Sequence, residues 1–225
     1  INPKEFWTPM PLPSIAANDP AFRNISGNNW SGQPQGLTYQ RSISALENYG
    51  HYAELTSLGL KFLDVVDDSL KFTQQFDPFT ATINNSKDGY GPSILSAMEF
   101  INRFYGIHIS RDRIYWSCLD KNHEYQYIQE WNGDQYQLKT NGNKVICSKN
   151  GQNLFSFTKG ARIITDLEGN VIEIVGISSE KKTIQFSEEK SYSISVEPNT
   201  IYRLNSKDRF ETYKSYNYYK PVEKM

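Results

Sequence analysis

The sequence predicts an α+β protein: a helical segment over residues 1–107, an antiparallel β-sandwich over 108–205 and a polar, Tyr-rich tail over 206–225. Three observations carry that expectation. Apolar residues recur at helical spacing in three stretches before Gly106, and at every second position after it. Turn dipeptides of the Asn-Gly type punctuate the second half at short intervals. Pro9, Pro11, Pro13 and Pro20 forbid a continuous helix near the start, so the chain opens on an irregular segment.

The first helix is expected over 38–49, where Ile43, Leu46 and Tyr49 recur at spacings of three and Gly50 supplies a stop. A second is expected over 52–70, with Leu55, Leu58, Phe62, Val65 and Val66 on one face. The third is expected over 93–105, apolar at Ile94, Leu95, Met98, Ile101 and Phe104, and closed by Gly106. Strands are expected over 113–118, 124–131, 135–140, 144–148, 153–157, 161–166, 171–176, 183–187, 191–196 and 200–204. Asn132-Gly133, Asn141-Gly142, Asn150-Gly151 and Glu168-Gly169 are the turns between them. Many short strands joined by such turns argue for a sandwich. The tail, with Tyr213, Tyr216, Tyr218 and Tyr219, is expected to pack on the helices or to lack order in part.

Composition narrows the function classes. Lys+Arg number 24 and Asp+Glu 25, a formal net charge of -1, so no basic excess exists to hold a phosphate backbone and nucleic acid is not an expected partner. No apolar run approaches the roughly 18 residues that span a bilayer, so no membrane contact is expected. The three histidines are scattered and no Cys-x-x-Cys occurs; neither a metal nor a cofactor is expected. Cys118 and Cys147 are compatible with a disulfide in an exported chain and equally with two buried thiols. Ile1-Asn2-Pro3-Lys4 lacks a signal-peptide pattern and gives the chain the look of a piece of something longer. Tyr and Trp, 15 and 4 of them, suit the faces of sugars, although sandwiches are Tyr-rich in any case.

Three loop motifs occur in a telling order. Asn29-Trp30-Ser31-Gly32-Gln33-Pro34-Gln35-Gly36 leads into a helix ending Glu47-Asn48-Tyr49-Gly50; Gln74-Gln75-Phe76-Asp77-Pro78-Phe79-Thr80 follows; Gly89-Tyr90-Gly91-Pro92 opens the last helix. This order, over about residues 6 to 106, resembles the late barrel motifs of α/α six-hairpin glycosidases, in particular glycoside hydrolase family 63, mannosylglycerate hydrolase-like enzymes and trehalases. Pro11-Leu12-Pro13-Ser14-Ile15 and Asn18-Asp19-Pro20-Ala21-Phe22 look like the substrate-side loops of the same family.

The resemblance implies that residues 1–107 are the closing helices of an α/α six-hairpin toroid. Its N-terminal part would be a partner, and the substrate a carbohydrate with an α linkage cut by inversion. It also implies a periplasmic or secreted setting. Inversion uses an acid and a base about 6.5–9.5 Å apart, with water between the base and the sugar. The family's Asp acid lies upstream of this chain. Its Glu base falls on Gln74, a neutral amide that cannot take a proton from water. The base role then passes to Asp77, Asp88 or Glu47, or to the missing part, or the chain binds sugar without cutting it.

Each substrate-binding candidate has a plainer alternative. Trp30 is a stacking platform or a packing residue at a helix start. Gln33 and Gln35 read hydroxyls or are solvated; Gln75, beside Gln74, reads hydroxyls or ties its own loop. Asp77 and Asp88 are catalytic or turn-forming. Tyr90 lines the cleft in the resemblance, and Asp19 faces substrate or caps a turn. Trp116 and Trp131 are expected in core or interdomain packing.

Overall fold

The computed structural model describes residues 2–27, 30–83, 87–120, 123–187, 191–207 and 209–220. Asn29, the first residue of the Trp30 motif, and 208 and 221–225 of the tail lie outside the described residues. The protein is α+β, and it divides into two compact units, Ile1–Phe100 with Tyr219–Met225, and Ile101–Tyr218.

The first unit is built on α1 (Gly36–Asn48), α2 (Tyr52–Ser69) and most of α3 (Gly91–Tyr105). α1 ends in a Schellman motif: the His51 N–H donates to the Leu46 carbonyl, the Gly50 N–H to Glu47, and Gly50 takes φ 78. Its buried face is Gly36, Tyr39 and Ile43 rather than the expected Ile43, Leu46 and Tyr49. Tyr49 falls on the C-cap, beyond the last helical turn, and is exposed. In α2 the buried apolar stripe is Leu55, Leu58, Phe62 and Val65, and Val66 is half-buried. α3 begins two residues earlier than expected because the Tyr90 carbonyl accepts the N–H groups of Ser93 and Ile94, which draws Gly91 and Pro92 into the first turn. Its core face is Ser93, Ser96, Ala97, Phe100 and Phe104. Leu95, Met98 and Ile101, expected as core, are instead 53, 56 and 41 % exposed.

Tyr39, Phe62, Phe76 and Phe100 form the aromatic centre of this unit. Ring centroids stand 5.0 Å apart for Tyr39–Phe62, 5.5 Å for Phe62–Phe76 and 5.6 Å for Phe62–Phe100. Such tilted and edge-on pairs add to simple burial. Helices with so few apolar positions are held chiefly by this cluster, because isolated helices of this length are marginal in water.

The second unit is a sandwich of two six-stranded antiparallel sheets. One runs β1 (Ile107–Ser110), β2 (Arg113–Cys118), β7 (Ala161–Thr165), β8 (Val171–Val175), β11 (Thr200–Leu204), β12 (Phe210–Ser215) in spatial order. The other runs β10 (Ser191–Val196), β9 (Lys182–Ser187), β6 (Gln152–Thr158), β5 (Lys144–Lys149), β4 (Asp134–Asn141), β3 (Gln126–Trp131). Two strands go beyond the expectation. Residues 107–110 were masked in the sequence by the end of α3, and residues 210–215, expected as tail, pair with β11 from Thr200↔Ser215 to Leu204↔Phe210. Tyr219 does reach a helix: its N–H donates to Glu54 of α2 at 2.8 Å.

The hairpin turns follow their chemistry. Asn132-Gly133 and Asn150-Gly151 each place both residues at positive φ (51 and 85, 49 and 79), as two-residue turns matching strand twist require. Inward residues of both sheets, among them Trp116, Leu138, Phe155, Ile163, Ile174 and Phe186, form one core. Trp116 is central, its Nε1–H donating to Thr165 Oγ1 at 3.1 Å. Trp131, at the end of edge strand β3, is 41 % exposed and is not among the described residues that make up this core. Cys118 and Cys147 are free, buried thiols on this core, both pushed up in pKa by burial. No helix is long and apolar enough to cross a membrane among the described residues.

Candidate functional site

The loops of the first unit are laced together by backbone pairing. Gln35 and Gln75 form an antiparallel bridge, closed by Gly36 N–H to the Gln74 carbonyl (2.9 Å) and Phe76 N–H to the Pro34 carbonyl (3.2 Å). The Trp30 and Gln74 motifs, forty residues apart in sequence, are thus neighbours. Phe76 is the anchor, fully buried on Tyr39 and Phe62.

Two glycines permit the close approach. A Cβ on Gly36 would lie 2.0 Å from Ser93 Oγ, whose hydroxyl donates to the Thr73 carbonyl at 2.6 Å. A Cβ on Gly32 would lie 1.9 Å from the Arg23 carbonyl oxygen, the residue it bridges in parallel. Met10 N–H donates to the Pro78 carbonyl, which ties the N-terminal segment to the same loop.

The amides are not on the surface. Gln33 and Gln35 are 1 and 0 % exposed, which removes the solvated alternative for both. Gln33 donates through Nε2 to Asn24 Oδ1 at 2.8 Å; Asn24 in turn donates through Nδ2 to Asp77 Oδ2 at 2.8 Å. Among the described residues, the Gln33 Oε1, both side-chain polar atoms of Gln35 and the Trp7 Nε1 are buried with no hydrogen-bond partner. A buried polar group left unpaired costs on the order of 1–3 kcal/mol, so these atoms call for a polar partner, water or ligand. Gln75 is buried and Gln74 half-buried. The Trp30 ring is 50 % exposed, while its carbonyl accepts the Ser14 hydroxyl at 2.8 Å.

The carboxylates serve the turns. Asp77 Oδ1 accepts the N–H groups of Phe79 (2.8 Å) and Thr80 (3.0 Å). Burial presses its carboxyl upward, but hydrogen bonds from Asn24, Thr80 and Phe79 outweigh that and hold it below the ordinary 3.8. Asp88 Oδ1 accepts the N–H groups of Phe72 (2.8 Å) and Gly89 (2.7 Å), and these hold it too below its ordinary value. A carboxylate held this way is a weak proton acceptor. Asp19 Oδ1 accepts the Ala21 N–H at 2.7 Å in a turn. Tyr90 is half-buried, its N–H donating to the Phe72 carbonyl at the start of α3. Glu47 is half-buried at the end of α1, its carbonyl within the Schellman motif.

Two residues escaped the sequence reading. Asn24 joins Gln33 to Asp77, and no local signal marks it. Glu54 is fully buried in α2, 3.5 Å from His51 Nδ1 and bonded to the Tyr219 N–H; its position on the apolar side of α2, one residue before Leu55, was the available signal. No family model matches the chain, and a search of curated proteins returned no match.

Proposed function

We infer that the loops carrying Trp30, Gln33, Gln35, Gln74 and Gln75 form one wall of a carbohydrate-binding cleft in a six-hairpin glycosidase. The observation that carries this reading is the pair of buried amides, Gln33 and Gln35, incompletely partnered among the described residues, in the same loop as the half-exposed Trp30. An amide offers a donor and an acceptor together, the complement of a sugar hydroxyl, and an indole face stacks on the apolar face of a pyranose. The exposed Leu95, Met98 and Ile101 stripe on α3 supports the toroid half of the proposal, since an apolar helix face of that kind packs well against further helices.

Hydrolysis by inversion, the activity this reading implies, draws its acid from outside these residues. Gln74 orients water or a hydroxyl, while Asp77 and Asp88, held ionised in turns, are poor bases. A second reading, sugar binding without cleavage, is favoured by the amide at position 74.

Titration of α-linked gluco- and manno-oligosaccharides into the 15N-labelled chain tests the site, since NMR detects millimolar affinity. The Trp30 indole and Gln33 and Gln35 amide signals should shift together, and Trp30→Ala should weaken binding about fivefold, the worth of a ring contact of roughly 1 kcal/mol. Unmoved signals at tens of millimolar sugar would remove the proposal. A gain of hydrolysis in Gln74→Glu, within a polypeptide that supplies the acid, separates a lost base from a site that only binds.

A further inference from the structure

The sandwich unit has four edge strands, and three are blunted in the ways that sheet proteins use to resist edge-to-edge pairing. β1 is four residues long. β3 carries Glu130. β12 carries Glu211 and Lys214, and a register shift breaks its pairing at Ile201/Tyr202. β10 is different. Ser191-Tyr192-Ser193-Ile194-Ser195-Val196 has no charge, Pro or Gly, and it pairs with β9 over six residues in unbroken register.

Its two faces alternate cleanly. Ser191, Ser193 and Ser195 are exposed; Tyr192 and Ile194 are half-buried and Val196 is buried. Tyr192 packs on the sandwich core, its ring 5.7 Å from Phe210 and 6.1 Å from Phe186. The apolar row therefore runs to the open edge and stops there half covered, and the row of backbone groups facing away from β9 has no strand beside it among the described residues.

We propose that β10 pairs antiparallel with β10 of a second copy of this chain, about a two-fold axis at Ile194. Strand geometry selects that occupant. Opposed residues in an antiparallel pair share a face, so only registers joining odd to odd and even to even positions continue both rows. Centring on Ile194 sets it against the partner's Ile194, Tyr192 against the partner's Val196, and Ser193 against the partner's Ser195. The apolar row then continues through both sandwiches, and Glu197, the charge that directly follows the strand, falls opposite the partner's Ser191 on the solvent side. The contact is self-complementary and closes as a dimer. It joins the two β10-edged sheets into one of twelve strands. The interface is short, so the association depends on protein concentration.

Sedimentation equilibrium on the whole chain and two double variants tests it. Ser193→Lys with Ser195→Lys places like charges opposite each other across the axis; Ser193→Lys with Ser195→Glu places opposite charges there. All these side chains point to solvent, and the two variants introduce charge at the same two positions, so each is the folding control of the other, checked by its melting curve. The expected result is a wild-type chain that doubles in mass with concentration, a lysine–lysine variant with association weakened at least tenfold, and a lysine–glutamate variant that still dimerises. A wild-type monomer at all concentrations overturns the proposal. So does a lysine–lysine variant that dimerises normally, or a lysine–glutamate variant as monomeric as its companion.

Discussion

Replacing Phe76 by Ala tests whether one buried ring holds the Trp30 and Gln74 loops together. The side chain is fully buried, with its centroid 5.5 Å from Phe62 and 5.9 Å from Tyr39. Removing a buried Phe costs about 3–5 kcal/mol in lost transfer energy and cavity, and the two ring pairs push the value to the upper part of that range. We expect about 4 kcal/mol. Phe76→Leu keeps most of the apolar volume and should cost about 1–1.5 kcal/mol.

The readout is hydrogen exchange at two amides, Gly36 N–H and Phe76 N–H, which close the Gln35–Gln75 bridge. Their exchange should speed up about a thousandfold in Phe76→Ala and about tenfold in Phe76→Leu, with β5 amides of the sandwich as the unaffected reference. Unchanged exchange at both amides in Phe76→Ala would refute the idea that this ring anchors the loop.

Three other expectations follow from the same geometry. Gly36→Ala drives a Cβ to 2.0 Å from Ser93 Oγ and should cost about 1–3 kcal/mol by denaturant unfolding, with partial recovery when Ser93→Ala is added. Asp77 titrates below its ordinary 3.8, so its ionised form contributes stability that is complete above that value and is lost as pH falls through the depressed one; Asn24→Ala should move its titration, followed by carboxyl NMR, upward. Glu173, buried and bonded by Arg203 Nε at 2.7 Å and Nη2 at 2.6 Å, should cost about 1.5–3 kcal/mol when changed to Gln, because a charge-assisted bond is lost while the arginine keeps contact with water.

Much of the second unit was legible because period and turn chemistry are local. Ten of the strands follow from alternation and from dipeptides such as Asn132-Gly133, whose backbone demands are met within two residues. β12 was not legible: Phe210–Ser215 is polar and nearly all exposed, and it is a strand only because β11 offers an edge for it to pair with. In α3 the residues Leu95, Met98 and Ile101 carry a helical period as convincing as that of Ala97, Phe100 and Phe104. Which stripe turns inward depends on the neighbours, and the aromatic cluster around Phe62 made that choice.

The site divides in the same way. Sequence alone determined which residue types stand in the loops, that position 74 holds an amide, and that Asp77 and Asp88 sit beside Pro78 and Gly89 in turns. Only the tertiary structure decided that Gln33 and Gln35 are buried, that Asn24 links Gln33 to Asp77, and that Gln35 lies beside Gln75. The physical reason is range. Turn preference and side-chain chemistry act over a few residues, whereas burial and hydrogen-bond partnership are set by segments that meet only after Phe76 docks on Tyr39 and Phe62.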